Sequence, residues 1–162
     1  MIRKVELIDS SDICEIYNYY INNTIITFEE EPVTNEEMEK RIKDVSKELP
    51  WFVYDEAGKV LGYAYATKWK TRSGYRYSVE LSVYIDKDYR NRGIGSQLYK
   101  YLIDSLKEKE IHTLIGGIAL PNDKSVKLHE KLGFEKVAHF KEVGYKFNTW
   151  IDVGYWQYNP TV

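Results

Sequence analysis

The sequence predicts an α/β domain with a mixed sheet flanked by helices. Three observations predict it. The chain of 162 residues has the length of one ordinary domain with a real core. Segments with apolar residues at every second position alternate with segments whose apolar residues recur every three to four. No repeat, low-complexity tract or linker separates them, so a single domain is expected over residues 1–162.

Residues 2–8 alternate as a first strand. Asp9, Ser10, Ser11 and Asp12 then offer capping side chains to a helix carrying Ile13, Ile16, Tyr17 and Tyr20. Residues 24–31 have no strong period and read as an ordered loop ending at Pro32. Thr34, with Glu37 three residues on, spells a capping box, and Met38, Ile42 and Val45 give that helix an apolar stripe. Residues 51–54 and 60–69 are strands joined through Asp55-Glu56-Ala57-Gly58, a hairpin signal. In residues 79–85, Val79, Leu81, Val83 and Ile85 take one face, while Glu80, Ser82 and Tyr84 share the other. Ile94, Leu98, Leu102 and Leu106 repeat every four residues as an amphipathic helix. Residues 113–120 are another strand. Asn122-Asp123-Lys124-Ser125 opens a helix with Val126, Leu128, His129 and Leu132 along it, stopping at Gly133-Phe134. Strands near 134–143 and 150–158 complete the chain.

Composition narrows the function classes. A hydrophobic fraction of 43% with 30% charged residues reads as soluble and globular. No apolar run approaches the roughly 18 residues of a membrane span, and no signal peptide precedes the first strand. A net charge of −2 gives no general reason to expect nucleic acid. The lone cysteine, Cys14, falls among apolar helix positions, excludes an internal disulfide and fits a reducing, cytoplasmic setting. His112, His129 and His139 are scattered without ligand spacing, so no metal is expected. Fifteen tyrosines suit either an aromatic-lined cavity or a dimer face; composition does not separate the two.

The stretch Tyr89-Arg90-Asn91-Arg92-Gly93-Ile94-Gly95-Ser96 lies between a strand and a helix. The first amides of a helix lack intrahelical partners, and its dipole favours an anion, so a phosphate site is expected there. The spelling excludes a P-loop, because Ser96-Gln97 follows the last glycine, and a dinucleotide fingerprint, because the third glycine position is Leu98. What remains, Arg-x-x-Gly-x-Gly, resembles the acetyl-coenzyme A loop of the GNAT superfamily of N-acetyltransferases. The helix at Asn122 strengthens the resemblance. In the superfamily an asparagine at this helix start touches the pantetheine arm, a residue seven further on lies beside the cofactor sulfur, and Gly-Phe closes the segment. Here that residue is His129.

Within the superfamily the chain resembles the phosphinothricin N-acetyltransferases, which also acetylate methionine sulfoximine and methionine sulfone. The likeness rests on Thr27-Phe28, Pro50-Trp51, Trp69-Lys70-Thr71-Arg72, Glu80-Leu81-Ser82-Val83-Tyr84-Ile85, Leu120-Pro121-Asn122-Asp123 and Asp152-Val153-Gly154-Tyr155-Trp156-Gln157. It implies the GNAT fold, with a mostly antiparallel sheet, and a homodimer, for which the aromatic 145–158 region would serve. It implies that Val83, Tyr84 and Ile85, with Asn91, Arg92, Gly93, Ile94, Gly95 and Ser96, hold acetyl-coenzyme A, assisted by Asn122. Phe28, Lys70, Arg72, Tyr75, Tyr84 and Val153 match positions around a small amino-acid acceptor. Glu80 and His129 match the two ionisable groups proposed for catalysis. Leu81, Arg76 and Ala119 depart from the usual spelling, and the last two bear on the acceptor pocket.

The chemistry asks for these types. A carboxylate, Glu80, takes the amine's proton. A main-chain N–H near Val83, freed by a bulge, meets the oxyanion. His129 protonates the departing thiolate or relays the amine's proton. Lys70 and Arg72 clamp an anionic or strongly polar acceptor side chain, walled by Phe28 and Tyr75. The other readings are acetylation of another small amine or a protein N-terminus, and a non-catalytic acetyl-coenzyme A-binding module.

Overall fold

The computed structural model describes residues 1–160. Its strands are β1 (Ile2–Lys4), β2 (Trp51–Glu56), β3 (Lys59–Lys68), β4 (Ser78–Ile85), β5 (Thr113–Ala119), β6 (Glu135–Lys146) and β7 (Thr149–Tyr158). The helices are α1 (Ser10–Asn23), α2 (Asn35–Ser46), α3 (Ile94–Glu108) and α4 (Asp123–Lys131), with short 3₁₀ turns at Leu7–Asp9 and Ser73–Tyr75. One seven-stranded sheet runs in the order β1-β2-β3-β4-β5-β7-β6. Every neighbouring pair is antiparallel except β4 and β5.

The alternation in β4 sorts the two layers. Val79 and Leu81 pack with Leu98, Tyr99, Leu102 and Leu106 of α3. The opposite face of the sheet is covered by Ile13, Ile16 and Ile21 of α1 and Met38 and Ile42 of α2, which meet Val53 and Tyr63. Leu98, Leu102 and Leu106 are fully buried, so truncating any of them to alanine costs about 2–5 kcal/mol.

The first strand and the last two depart from the sequence expectation. The first strand ends at Lys4 rather than residue 8. The Asp9 carboxylate accepts two hydrogen bonds from the Arg3 guanidinium, both 2.8 Å, and one from the Glu6 N–H. That grip bends the chain into the 3₁₀ turn, and it leaves Asp9 making no side-chain cap on α1. The last strands run longer than expected, and β6 slips register between Lys136 and Ala138 and between Phe140 and Gly144. The second slip is fastened by Asp152 Oδ1, which accepts from the Glu142 N–H at 2.8 Å where Glu142 has φ 51°. The β2–β3 hairpin forms as its spelling suggests: Ala57 and Gly58 carry φ 53° and 85°, the left-handed pair of a tight two-residue turn.

Residues 24–31 are tied from both sides. The buried Lys146 ammonium donates to the carbonyls of Thr24 and Thr27, each at 2.7 Å. Glu29 receives a bidentate grip from Arg41 at 2.7 and 2.8 Å, which holds its carboxyl below the usual carboxylate range, and a hydrogen bond from the Tyr17 hydroxyl.

Candidate active site

The site grows from the only parallel seam among the described residues. β4 and β5 pair over Ser78↔Thr113, Val79↔Leu114 and Glu80↔Ile115. Beyond Glu80 the strands diverge. On the other side β4 stays in unbroken register with β3, from Val79↔Lys68 to Ile85↔Gly62. Trp69 N–H to Ser78 O (3.2 Å) and Asp86 N–H to Leu61 O (2.9 Å) bracket that ladder. Since antiparallel bonding alternates, the N–H groups of Leu81, Val83 and Ile85 point away from β3, into the gap. The bulge expected near Val83 is therefore corrected: divergence of β5, with no insertion in β4, leaves the Val83 amide without a strand partner.

Two consecutive glycines of β5 admit the ionisable residues. A Cβ on Gly116 would stand 2.6 Å from His129 Cδ2. One on Gly117 would stand 3.3 Å from a Glu80 carboxylate oxygen and 3.0 Å from the Tyr155 ring. Glu80 and His129 thus occupy opposite faces at the point where the strands separate. Sequence reasoning passed over this pair, although glycines inside a strand are a signal of close approach.

Burial pushes the Glu80 carboxyl up from its ordinary value, opposed by the Lys70 ammonium. His129 is buried, 3% exposed, rather than standing on an open helix face. Its Nδ1 lies 2.7 Å from the Ser125 carbonyl, its Nε2 2.9 Å from the Tyr99 hydroxyl, and burial lowers its pKa. A carbonyl can only accept, so Nδ1 carries the proton and Nε2 of the neutral ring accepts from Tyr99.

The glycine loop lies past the end of β4. After Tyr89, bonded to Asp86 O, the next main-chain N–H with a main-chain partner is that of Gln97, bonded to Gly93 O at 3.2 Å. Asn91 and Gly93 are left-handed, with φ 66° and 76°, a conformation that turns successive amides toward one concavity. The basic side chains face elsewhere: Arg92 pairs with Glu56 at 3.1 Å and Arg90 lies over the Tyr19 ring. Asn122 Oδ1 caps α4 by accepting from the Ser125 N–H at 3.2 Å. A Lys124 to Asn91 hydrogen bond of 3.0 Å links α4 to the loop.

The residues matched to the acceptor divide into groups. Lys70 is exposed, its Nζ 4.9 Å from the Trp69 ring centroid, and its charge reaches Glu80. Arg72 and Tyr75 are exposed on the β3–β4 loop, with Arg72 making no ion pair among the described residues. Phe28 packs on Gly144, where a Cβ would stand 2.7 Å from its ring. Val153 is buried on β7, opposite Ala119 and Phe140. Tyr84 lies apart from Glu80, about 13 Å along β4 at some 3.3 Å per residue. Its ring sits in a cluster with Tyr17, Tyr20 and Tyr63 at 5.1, 5.4 and 5.5 Å. Of the two uses open at the sequence level, the aromatic-lined cavity is seen directly. Tyr17, Tyr63 and Tyr65 line a cavity of about 240 Å³ with Arg41, Trp51 and Thr67, the cross-strand partner of Glu80. Tyr145 instead meets Trp150 in a tilted contact, 4.6 Å between centroids, on the exposed β6–β7 hairpin. Among the described residues no group of three His, Cys, Asp or Glu is placed to hold a metal, and no helix is long and apolar enough to cross a membrane.

A parted parallel seam, a loop of free amides at its open end and a half-buried carboxylate at its apex define an acyl-group transferase. The family model described as acetyltransferase (GNAT) domain matches residues 2–154, and the chain belongs to this family of N-acetyltransferases. Among its relatives is the phosphinothricin N-acetyltransferase of Streptomyces viridochromogenes, 37% identical over 96% of this chain and 85% of that protein. The L-methionine sulfoximine/L-methionine sulfone acetyltransferase of Pseudomonas paraeruginosa is 34% identical over 98% and 93%. A solved phosphinothricin acetyltransferase from Sinorhizobium meliloti, in complex with acetyl-coenzyme A, superposes with a TM-score of 0.95 at 33% identity, covering 98% of this chain and 87% of that one.

Proposed function

We propose that the chain transfers an acetyl group from acetyl-coenzyme A directly to the α-amino group of a small amino-acid-like acceptor of the phosphinothricin, methionine sulfoximine or methionine sulfone kind. The observation that carries this reading is the divergence of β4 from β5 at Glu80. It leaves a slot with free amides along one wall and a carboxylate at its closed end.

The bound thioester supplies an activated acetyl carbonyl. Amides from residues 92–96 receive its diphosphate, the edge of β4 over Val83–Ile85 aligns its arm, and Asn122 assists from α4. The Val83 N–H donates to the oxyanion. Glu80 accepts the proton of the incoming amine, a task its raised pKa suits. His129 borders the slot as a neutral ring that accepts at Nε2. A departing thiolate, of unperturbed pKa about 8.5, needs little help from it. Lys70 and Arg72 hold the polar end of the acceptor, with Phe28, Tyr75, Tyr84 and Val153 around the remainder.

The setting is cytoplasmic and the working form a homodimer. The exposed apolar side chains of the β6–β7 hairpin, Val143, Tyr145, Phe147 and Trp150, support a second copy as their cover. Sedimentation of the chain beside a Trp150→Glu variant tests this: loss of a dimer supports it, and a monomeric parent contradicts it.

The deciding experiment measures kcat/KM over phosphinothricin, methionine sulfoximine, methionine sulfone, ordinary amino acids and short peptides. Preference for the first three carries the reading. Preference for peptides, or no turnover with any amine, overturns it.

A further inference from the structure

Beside Glu80 stands a group of aromatic rings to which no role has been given. Tyr155 is the direct partner of Gly117 across β5 and β7. Its ring crowds the space above Gly117 that the Glu80 carboxylate also crowds, at 3.0 and 3.3 Å from the missing Cβ. Trp69 meets Tyr155 edge to face at 5.4 Å and 76°. Phe140 closes on Tyr155 from β6 at 5.8 Å and 80°. Glu80 therefore faces a corner whose other walls are aromatic. The face of Trp69 already holds a cation, for Lys70 Nζ lies 4.9 Å from its centroid.

We propose that Trp69 and Tyr155 form the acceptor's ammonium slot: the amine binds protonated, between the Glu80 carboxylate and the two rings, and is deprotonated in place. The inference rests on the acetyltransferase reading and adds the charge state and binding residues of the acceptor. Aromatic faces attract ammonium groups through the ring quadrupole, and do so more strongly where water is excluded. A half-buried carboxylate beside them adds charge attraction that an uncharged amine would not gain. Lys70 marks the position as an internal stand-in. When the acceptor's ammonium takes the Trp69 face, Lys70 is released toward the acceptor's anionic end. The proton balance is simple. One N–H bond of the ammonium breaks, its proton passes to Glu80, and the electron pair stays on nitrogen to attack the thioester carbonyl.

A permanently charged probe whose nitrogen has no lone pair to acetylate tests this. Choline and its uncharged carbon isostere, in which a tert-butyl group replaces the trimethylammonium, are titrated against the free enzyme. The Tyr155 ring signals are followed by NMR. Choline should bind at least about tenfold more tightly than the isostere and perturb Tyr155. Trp69→Leu and Tyr155→Leu should each remove that preference, while Tyr155→Phe, which keeps the ring, should retain it. In turnover, choline should compete with the acceptor and leave the acetyl-coenzyme A KM unchanged. Equal affinity for both probes, or a preference that survives both leucine variants, overturns the slot. The NMR arm needs no turnover, so a failed acceptor screen and a failed ammonium slot remain distinguishable.

Discussion

The Tyr99 hydroxyl and His129 Nε2 are joined by a buried hydrogen bond of 2.9 Å, and the Nδ1–H of the same ring is committed to the Ser125 carbonyl at 2.7 Å. Every polar edge of the imidazole is thereby occupied by protein. Besides Tyr99 from α3, its neighbours are Phe134, 5.2 Å between centroids, and Gly116 of β5, neither titratable. The Tyr99 hydroxyl is itself pushed up, first by burial and then by the Glu80 charge.

The ring should titrate below its ordinary value of 6.5, since burial lowers it. The sign follows from linkage. The unfolded chain takes up the proton first, so the stability gained from a neutral His129 is complete above about pH 6.5 and is lost as pH falls toward the folded pKa. NMR titration of the ring checks the direction, and a midpoint above 6.5 contradicts it. His129→Ala should cost less turnover than loss of an oxyanion donor, which is worth about 10²–10³ in kcat.

Glu80→Gln should keep acetyl-coenzyme A affinity by calorimetry and lower turnover at neutral pH by roughly 10²–10⁴. The acid limb of kcat/KM in the parent should lie above 4.5, because burial raises the carboxyl, and should vanish in the variant. An unchanged rate removes Glu80 from the chemistry.

Gly117→Ala tests the room made for Glu80. The new methyl group meets the Tyr155 ring at 3.0 Å and the carboxylate at 3.3 Å. Turnover should fall well below the parent while the melting temperature moves little. Gly116→Ala collides with a caged imidazole and should instead destabilise the fold by about 1–3 kcal/mol, the usual cost of overpacking, read by urea unfolding. A silent Gly117→Ala would mean that Glu80 is not held against β5.

Arg72→Ala should raise the acceptor KM more than the acetyl-coenzyme A KM, because Arg72 is exposed on the β3–β4 loop and free of ion pairs among the described residues. Equal effects on both constants contradict the clamp.

Lys146→Met should loosen the 24–31 loop. It strips the carbonyls of Thr24 and Thr27 of a shared charged donor, and a buried polar group left unpaired costs about 1–3 kcal/mol. The acceptor KM should rise through Phe28, with kcat nearly unchanged. A parental KM would show that the loop does not shape the pocket.

Much of this was legible from residue order. The period of β4 placed Glu80 and Val83 on opposite faces, and the glycine loop announced free amides before α3. What escaped was non-local. That β5 leaves β4 after Glu80, rather than β4 bulging at Val83, depends on two strands whose paired residues are 35 apart in the chain, and no period within either encodes it. The first strand stopped short because Arg3 found Asp9, an ion pair that overrides alternation. His129 had the expected spacing, but the cage around it was not legible, since Tyr99 and Gly116 enclose it from other elements. Trp69 and Tyr155 gain meaning only when the end of β3 and β7 come together across β4 and β5.

The parallel seam, the only one among the described residues, also divides the sheet. It staples two antiparallel leaves, β1 to β4 and β5 with β7 and β6, through three rungs at one end. The rungs are Ser78 with Thr113, Val79 with Leu114 and Glu80 with Ile115, and past them no strand ladder ties one leaf to the other. Past Glu80 the two leaves stand apart like the jaws of a clothes-peg.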